Sequence, residues 1–175
     1  MKDLGKAKKI LGMEIIRDRS VKTLLLTQEK YVKRVVHRFG MVESKSVQTP
    51  LATHFRLSSA HSPKSEDKEQ MMAKIPYAHA VGSLMYAMVY SRPDLAQPVS
   101  VVSRFMGNPG KEHWQAVKWI LRYLNGTLNH GLWYEKSNQN SRDVMGFVDS
   151  DYAGDLDKRR SLTGYEIQLC GCTIS

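Results

Sequence analysis

The alternation of apolar and polar positions at the start of the chain predicts a β-hairpin followed by an amphipathic helix. Apolar stretches at 10–16 and 23–26 flank the polar turn 17–20, a pattern typical of a hairpin. Thr27 suits a helix N-cap, and apolar residues then recur every three or four positions until Gly40 supplies a stop. The polar face of this predicted helix is basic and carries Lys30, Lys33, Arg34, His37 and Arg38.

The middle of the chain combines a long polar segment with three predicted helices. Residues 43–76 are polar and contain three prolines, which favours a mobile surface segment with a short helix near 67–74. Helical spacing follows at 77–89, from Pro93 toward Met106, and at 111–124. We expect Pro98 to strain or kink the second of these helices.

The last part of the chain reads as short strands. Strands are predicted at 131–135, 144–149, 163–169 and 172–175, and the first is separated from the others by the polar linker 136–141. Cys170 and Cys172 then lie two apart in an apparent strand, so we expect free, buried thiols that point to one face. The fold class expected from the whole pattern is α+β, with a hairpin, a helical region and an incomplete sheet.

Charge is concentrated in the first part of the chain. The net charge is +9, and residues 1–40 hold 11 Lys and Arg against 4 Asp and Glu. This excess favours a polyanionic partner such as nucleic acid, although a solvated basic surface explains it equally well. The longest apolar run, 81–90, is too short to span a bilayer, and the start lacks signal-peptide features, so no membrane association or secretion is expected.

A cluster of carboxylates begins where the apolar strand 144–149 ends. Asp149, the last residue of this strand, is costly to bury unless it binds something, so it is a candidate metal ligand. A calcium loop is excluded because the position that needs a bidentate Glu is Arg160. Turn and capping roles remain an alternative for the carboxylates Asp151, Asp155 and Asp157.

Seven short motifs together resemble a known family. They are Leu11-Gly12-Met13-Glu14-Ile15, Ser83-Leu84-Met85-Tyr86, Ser91-Arg92-Pro93-Asp94, Ser103-Arg104-Phe105-Met106, His113-Trp114, Leu121-Arg122-Tyr123-Leu124-Asn125-Gly126-Thr127 and Asp149-Ser150-Asp151-Tyr152-Ala153-Gly154-Asp155. In this order they resemble the Pol polyprotein of copia-type LTR retrotransposons, particularly plant elements, over essentially the whole chain. Each motif alone is weak, and the ordered set of seven is specific.

The resemblance implies a domain organisation for the chain. It makes 1–27 the end of the reverse transcriptase palm with a primer-grip-like hairpin, 28–135 a thumb and connection region containing the mobile segment 43–76, 136–141 a linker, and 142–175 a truncated ribonuclease H-like start. Asp149 then matches the first metal-binding and catalytic Asp of ribonuclease H, whose cofactor in the intact family is Mg²⁺. The implied location is the cytoplasm, the nucleus or both.

The resemblance also implies a nucleic-acid partner, either an RNA–DNA hybrid or a DNA duplex that serves as template–primer. The residues expected to contact it are Leu11, Gly12, Met13 and Glu14 in the hairpin and Lys30, Lys33, Arg34, Lys111, Lys118 and Arg122 on helices. Other segments of the polyprotein are a further candidate partner. We expect this region to be inert alone, because the polymerase Tyr-x-Asp-Asp motif and the later ribonuclease H carboxylates are missing. The alternatives are a non-enzymatic duplex-binding module and a residual nuclease built on Asp149.

Overall fold

The computed structural model describes residues 5–136 and 144–174, and in these ranges it contains two antiparallel β-sheets and five α-helices. The elements are β1 (Lys9–Ile10), β2 (Met13–Asp18), β3 (Thr23–Thr27), α1 (Glu29–Arg38), α2 (Glu66–Ala73), α3 (Tyr77–Tyr90), α4 (Ala96–Ser103), α5 (Lys111–Gly126), β4 (Gly131–Glu135), β5 (Val144–Ser150), β6 (Thr163–Leu169) and β7 (Cys172–Thr173). The α+β class expected from the sequence is confirmed at this level. None of the described helices is both long and apolar enough to cross a membrane.

The first sheet contains the predicted hairpin and has the strand order β1-β2-β3-β4. Instead of one strand over 10–16, the chain makes a turn at Leu11 and Gly12, where both residues have positive φ angles of 47° and 78°. Strand β4 pairs antiparallel with β3, from Thr23 opposite Glu135 to Thr27 opposite Gly131. The whole helical region is therefore an insertion between two adjacent strands.

The core is built by α1, α3, α4 and α5. The periodicity that predicted α1 is confirmed, since the helix buries one apolar face and Gly40 follows it with φ +65°. Helix α3 is apolar on several sides, and its small residues let it pack closely against α4 and α5. The fully buried side chains at the centre of this core include Val81, Leu84, Leu95, Val99, Ile120, Leu121 and Leu124.

The predicted helix from Pro93 to Met106 is divided into two elements. A 3₁₀ turn covers Pro93–Leu95, and α4 covers Ala96–Ser103. Pro98 is buried as the third residue of α4, in the first helical turn. Backbone N–H groups in that turn have no intrahelical acceptor, so the missing N–H of Pro98 costs no helical hydrogen bond there.

The polar segment 43–76 is held along α5 by side-chain contacts before it reaches α2. Arg122 Nε donates to the carbonyl of Lys45 at 2.7 Å, and Trp119 Nε1 donates to that of Thr49 at 2.9 Å. Leu57 from the same segment is buried in the core. The short helix expected near 67–74 is present as α2. The expected mobility of segment 43–76 stays a prediction.

The second sheet has the order β5-β6-β7, and its strands lie where the sequence predicted them. All seven residues of β5 are exposed, Asp149 included, so the burial that made this carboxylate a candidate metal ligand is not seen and that expectation is wrong. The sheet therefore presents an exposed apolar surface, with Val148 83% and Tyr165 68% exposed. Part of the predicted linker 136–141 falls in 137–143, outside the described residues.

The two cysteines do not share a strand. Cys170 and Gly171 form the turn between β6 and β7, with φ angles of 53° and 75°. Both thiols are free and half-buried, so the expectation that they are buried on one face is wrong. The turn breaks the two-residue alternation that the prediction assumed.

Candidate functional site

The turn that precedes β2 is fixed by a tyrosine from α3. Tyr86 Oη donates to the carbonyl of Leu11 at 3.1 Å. Gly12 has a φ of +78°, which favours glycine, and a Cβ added there would lie 2.6 Å from Tyr86 Oη, so the tyrosine would have to shift. Met13 is buried, whereas Leu11 is 62% exposed. Of the predicted primer-grip residues, Leu11 is therefore the one with a large exposed apolar side chain.

Glu14, the last of these hairpin residues, connects the first sheet to α1. Its carboxylate lies 2.7 Å from Lys30 Nζ and 4.0 Å from Lys9 Nζ. The hydrogen bond from Lys30 lowers the pKa of Glu14, and the same bond raises the pKa of Lys30. Lys33 pairs with Glu29 at 2.5 Å one helical turn away. Lys30 and Lys33, two of the four lysines predicted to contact nucleic acid, are thus exposed side chains engaged in ion pairs, which solvent and salt weaken.

An open groove lies between the basic face of α1 and the end of α5. Its volume is about 750 Å³, and its lining residues include Arg34, His37, Arg38, Asn125 and Leu128. Within residues 5–136 and 144–174, the side chains of Arg34, His37 and Arg38 make no ion pair. We call this surface the α1 groove, and its two arginines, Arg34 and Arg38, have no ion-pair partner in the described residues.

Asn125 was missing from the residues predicted to bind nucleic acid. Its amide donates to the carbonyls of Val42 at 3.0 Å and Ser44 at 3.2 Å, which places it at the wall of the α1 groove. The spacing of Lys118, Arg122 and Asn125 on α5, by four and then three residues, is the sequence signal that could have identified it.

The basic residues predicted on α5 are not equivalent in the structure. Lys111 begins the helix and is exposed, whereas Lys118 and Arg122 are half-buried. The Arg122 guanidinium lies 5.1 Å from the centre of the Trp119 ring, in addition to its hydrogen bond to Lys45. Arg122 thus contributes to holding the segment 43–62 against α5.

A buried arginine joins two of the motifs that carried the family resemblance. Arg92 is 1% exposed and pairs with Asp94 through Nε at 3.0 Å and Nη2 at 2.7 Å. Its Nη1 donates to the carbonyl of Thr127 at 3.0 Å, and Tyr123 Oη donates to Asp94 at 2.8 Å. Burial acts to raise the pKa of Asp94, but the hydrogen bonds and charge of Arg92 outweigh it and leave the pKa below its usual value. Sequence reasoning did not identify this network.

The carboxylates that follow β5 do not converge. Asp149 is exposed in β5 opposite Gly164. Asp151 accepts from the Leu162 N–H at 2.6 Å and so closes the loop between β5 and β6. These two residues therefore have different surroundings, and only Asp149 lacks a contact of its carboxylate within the described chain.

Asp155 and Asp157 dock the same loop onto the helical region. Asp155 accepts from two loop N–H groups at 3.0 Å each and lies 3.6 Å from Arg104. Asp157 accepts from Ser58 Oγ at 2.7 Å and from the Ser59 N–H at 2.8 Å. The turn role considered for Asp155 is therefore seen, whereas Asp157 bonds to Ser58 and Ser59 in the helical region instead of the hairpin.

The residues present do not fit the Mg²⁺ ion that the resemblance implies. A two-metal hydrolytic site needs several carboxylates that face the same ions. Asp151, Asp155 and Asp157 direct their oxygens to N–H and O–H groups elsewhere. No group of three His, Cys, Asp or Glu residues in the described ranges is placed to hold a metal ion.

Comparison with known proteins shows what this chain is related to. It is 54% identical over all 175 residues to the retrovirus-related Pol polyprotein from transposon TNT 1-94 of Nicotiana tabacum, of which it spans 13%. It is 39% identical over 146 residues to the Pol polyprotein from transposon RE1 of Arabidopsis thaliana, of which it spans 9%. An uncharacterized mitochondrial protein of Arabidopsis thaliana is 34% identical over 174 residues, which cover 67% of that protein.

Two of these relatives are proteins of mobile elements. The chain is homologous to a short part of copia-type retrovirus-related Pol polyproteins from plant transposons. It spans about an eighth of the tobacco polyprotein and less of the RE1 polyprotein, so these relatives are far longer than the region described here. No family model and no solved structure matches the chain.

Proposed function

We propose that this chain is the duplex-handling region of a transposon Pol polyprotein. In this proposal residues 1–27 are the end of the reverse transcriptase palm, 28–135 form the thumb and connection, and 142–175 begin a ribonuclease H-like sheet. The polyprotein carries out RNA-directed DNA synthesis and hydrolyses RNA in RNA–DNA hybrids, and this region holds the template–primer. Two findings support the proposal: the identity to Pol polyproteins over the whole chain and the α1 groove.

The α1 groove is the observation that carries the proposal. A nucleic-acid duplex presents a regular row of phosphates, and cations that neutralise them release condensed counterions. Arg34 and Arg38 are one helical turn apart, exposed and free of ion pairs within the described residues. Arg side chains on one helix face contact successive phosphates without reading the bases. The expected binding is therefore strong at low salt and independent of sequence.

The same proposal assigns no chemistry to the chain by itself. The carboxylate of Asp149 has no metal-ligating partners in the described residues, because Asp151, Asp155 and Asp157 are used in turns and docking contacts. We propose that the chain binds no Mg²⁺ tightly and that other polyprotein segments cover the exposed apolar sheet. The cytoplasm and nucleus are the proposed compartments, since template–primer is present there.

The test is binding of an RNA–DNA hybrid to the purified chain across a salt series, with Mg²⁺ present and the hybrid then run on a gel. We expect salt-sensitive binding and an intact hybrid. The variant Arg34→Gln/Arg38→Gln should reduce the slope of log affinity against log salt by about two, because each phosphate contact contributes about 0.9. The charge-matched control Lys68→Gln/Lys74→Gln changes two exposed lysines of the polar segment and should leave the slope unchanged.

Two results would overturn parts of the proposal. Affinity that does not depend on salt, or an equal effect of both double variants, would remove the α1 groove as the binding surface. If the wild-type chain cleaves the hybrid and Asp149→Asn does not, Asp149 belongs to a working metal site. The proposal that the chain alone has no catalytic activity would then be wrong.

A further inference from the structure

A second cluster of cations lies at the open end of the first sheet, away from α1. It consists of Arg17, Arg19, Lys22 and Lys136, which we call the basic tip. These residues line a cleft of about 510 Å³ together with Tyr134 and Leu24. All four cations are exposed, and in the part of the chain that the structure describes none of their side chains makes an ion pair or hydrogen bond.

Strand pairing places three of these cations, Arg17, Lys22 and Lys136, at the same end of the first sheet. Thr23 lies opposite Glu135, and the Lys136 N–H donates to the carbonyl of Lys22 at 3.1 Å, so the ladder continues to these two lysines. Arg17 lies opposite Leu24, which in turn lies opposite Tyr134. Arg17 and Tyr134 therefore share a face of the sheet. Lys22, a turn residue with φ +60°, and Lys136 lie just beyond the ends of β3 and β4, and both line the same cleft.

The cluster holds positive charge that no described carboxylate pairs with, which favours an anionic partner. Like charges directly opposite each other on neighbouring strands repel. The two carboxylates that also line the cleft do not neutralise the cluster. Asp18 accepts from Ser20 N–H at 2.9 Å and from its hydroxyl at 2.5 Å within the turn, and strand alternation places Glu135 on the other face.

We propose that the basic tip is a second binding site for the phosphodiester backbone of nucleic acid. The proposal rests on the nucleic-acid binding proposed above and adds a contact that the α1 groove does not provide. Strand β3 connects the two surfaces, and its five residues alone separate Thr23 from Thr27 by about 13 Å. A nucleic-acid strand that contacts both the basic tip and the α1 groove therefore has to be several nucleotides long.

The experiment compares a triple variant of the tip with a charge-matched control. The tip variant is Arg17→Gln/Lys22→Gln/Lys136→Gln, and the control is Lys64→Gln/Lys68→Gln/Lys74→Gln, which removes three exposed lysines without ion-pair partners in the described chain. Both are measured with the RNA–DNA hybrid over the same salt series as the wild-type chain and the Arg34→Gln/Arg38→Gln variant. We expect the tip variant to lower the salt slope by two to three, about 0.9 for each phosphate that is no longer neutralised, and the control to leave it unchanged.

The outcomes separate this inference from the proposed function. If the wild-type chain binds and the α1 variant weakens binding while the tip variant behaves like the control, the tip site is wrong and the α1 groove stands. If the wild-type chain shows no salt-dependent binding, both fail. If the tip variant alone weakens binding, the tip site is supported and the α1 groove is wrong.

A second measurement keeps the inference testable if the triple variant does not fold. Without nucleic acid, Lys136→Gln should raise the melting temperature by about 1–3 °C, because it relieves repulsion from Lys22. With hybrid present, the same substitution should reduce the thermal stabilisation that the ligand gives. A lower melting temperature without ligand, or unchanged stabilisation with it, would contradict the site.

Discussion

Arg92 and Asp94 form a bidentate ion pair at the start of the 3₁₀ turn, and Arg92 also donates to Thr127, which follows α5. The guanidinium is buried, and its remaining N–H groups reach the carbonyl and the hydroxyl of Thr127 at 3.0 and 2.8 Å. Tyr123 adds a hydrogen bond to the same carboxylate and lies under the guanidinium at 5.4 Å. Two motifs separated by about thirty residues are therefore one structural unit.

Removal of the arginine should destabilise the fold. Arg92→Leu leaves Asp94 without its counter-ion and removes the hydrogen bonds from Arg92 to the Thr127 carbonyl and hydroxyl, although the carbonyl keeps the His130 N–H at 3.1 Å. Breaking a buried pair in this way costs about 3–5 kcal/mol, and we expect about 2–4 kcal/mol here because the Asp94 side chain is 35% exposed. Urea unfolding measures the change. The control Arg56→Leu removes an exposed arginine whose side chain makes no hydrogen bond or ion pair in residues 5–136 and 144–174, and it should change the unfolding free energy by less than about 0.5 kcal/mol. Equal effects of both variants would show that the network contributes nothing specific.

His113 should make the stability of the chain depend on pH. The ring is fully buried and stacks on Phe105 at 4.0 Å, its Nδ1 accepts from the Gly110 N–H, and its Nε2 donates to the carbonyl of Ser58. Burial lowers its pKa from the usual 6.5. Because the histidine pKa is lower in the folded chain, the unfolded chain binds the proton more tightly than the folded chain does. The free energy of unfolding is therefore at its full value above pH 6.5, and it decreases as the pH falls from 6.5 through the folded-state pKa.

The check is urea unfolding of the wild-type chain and His113→Asn at a series of pH values from neutral downward. The wild-type chain should lose stability in the window just below 6.5, and the variant should lose less there because asparagine does not titrate. His37→Asn, on the exposed face of α1, is the matched control and should keep the wild-type profile. A wild-type profile that stays flat through this window would disprove the buried neutral ring.

The sequence predicted those parts of the fold that depend on local pattern. Helices α1, α3 and α5 follow from apolar spacing and from stops such as Gly40, and β6 follows from its alternation. The pairing of β3 with β4 was not predictable in this way, because it joins residues such as Leu25 and Trp133 that are more than a hundred positions apart. No local signal encodes such a contact.

The candidate site was predicted less completely, for the same reason. The basic residues of α1 share a face by spacing alone, but whether a cation is free depends on partners such as Glu14, which reaches Lys30 from another strand. The role of Asp157 depends on Ser58 and Ser59, almost a hundred residues earlier. The turn at Gly12 did have a sequence signal, since glycine inside a strand pattern often marks a break.

A side chain at Gly12 should destabilise the fold, and part of this loss should depend on the Tyr86 hydroxyl. Gly12→Ala combines a positive φ with a Cβ placed 2.6 Å from Tyr86 Oη, and we expect a loss of about 1–3 kcal/mol. Gly40→Ala is the control, because Gly40 also has a positive φ but has open space around it. In the double variant Gly12→Ala/Tyr86→Phe the nearest ring carbon is 3.6 Å away, so the loss should be smaller than the sum of the single changes. If urea unfolding shows that the losses of Gly12→Ala and Tyr86→Phe simply add in the double variant, the steric contact is ruled out.

Asp157 should hold the second sheet to the helical region, and its removal should release that contact without unfolding the core. The Ser59 N–H donates to Asp157 Oδ2 and the Ser58 and Ser59 hydroxyls donate to Oδ1. In Asp157→Ala the Ser59 amide loses its acceptor, so hydrogen exchange at this position should accelerate while amides in α5 keep their protection. Asp149→Ala is the matched control, since its carboxylate makes no contact in the described chain and its removal should leave Ser59 unchanged. Unchanged exchange at Ser59 in Asp157→Ala would mean that the sheet is positioned by other contacts, with the Arg104–Asp155 pair as the next to test.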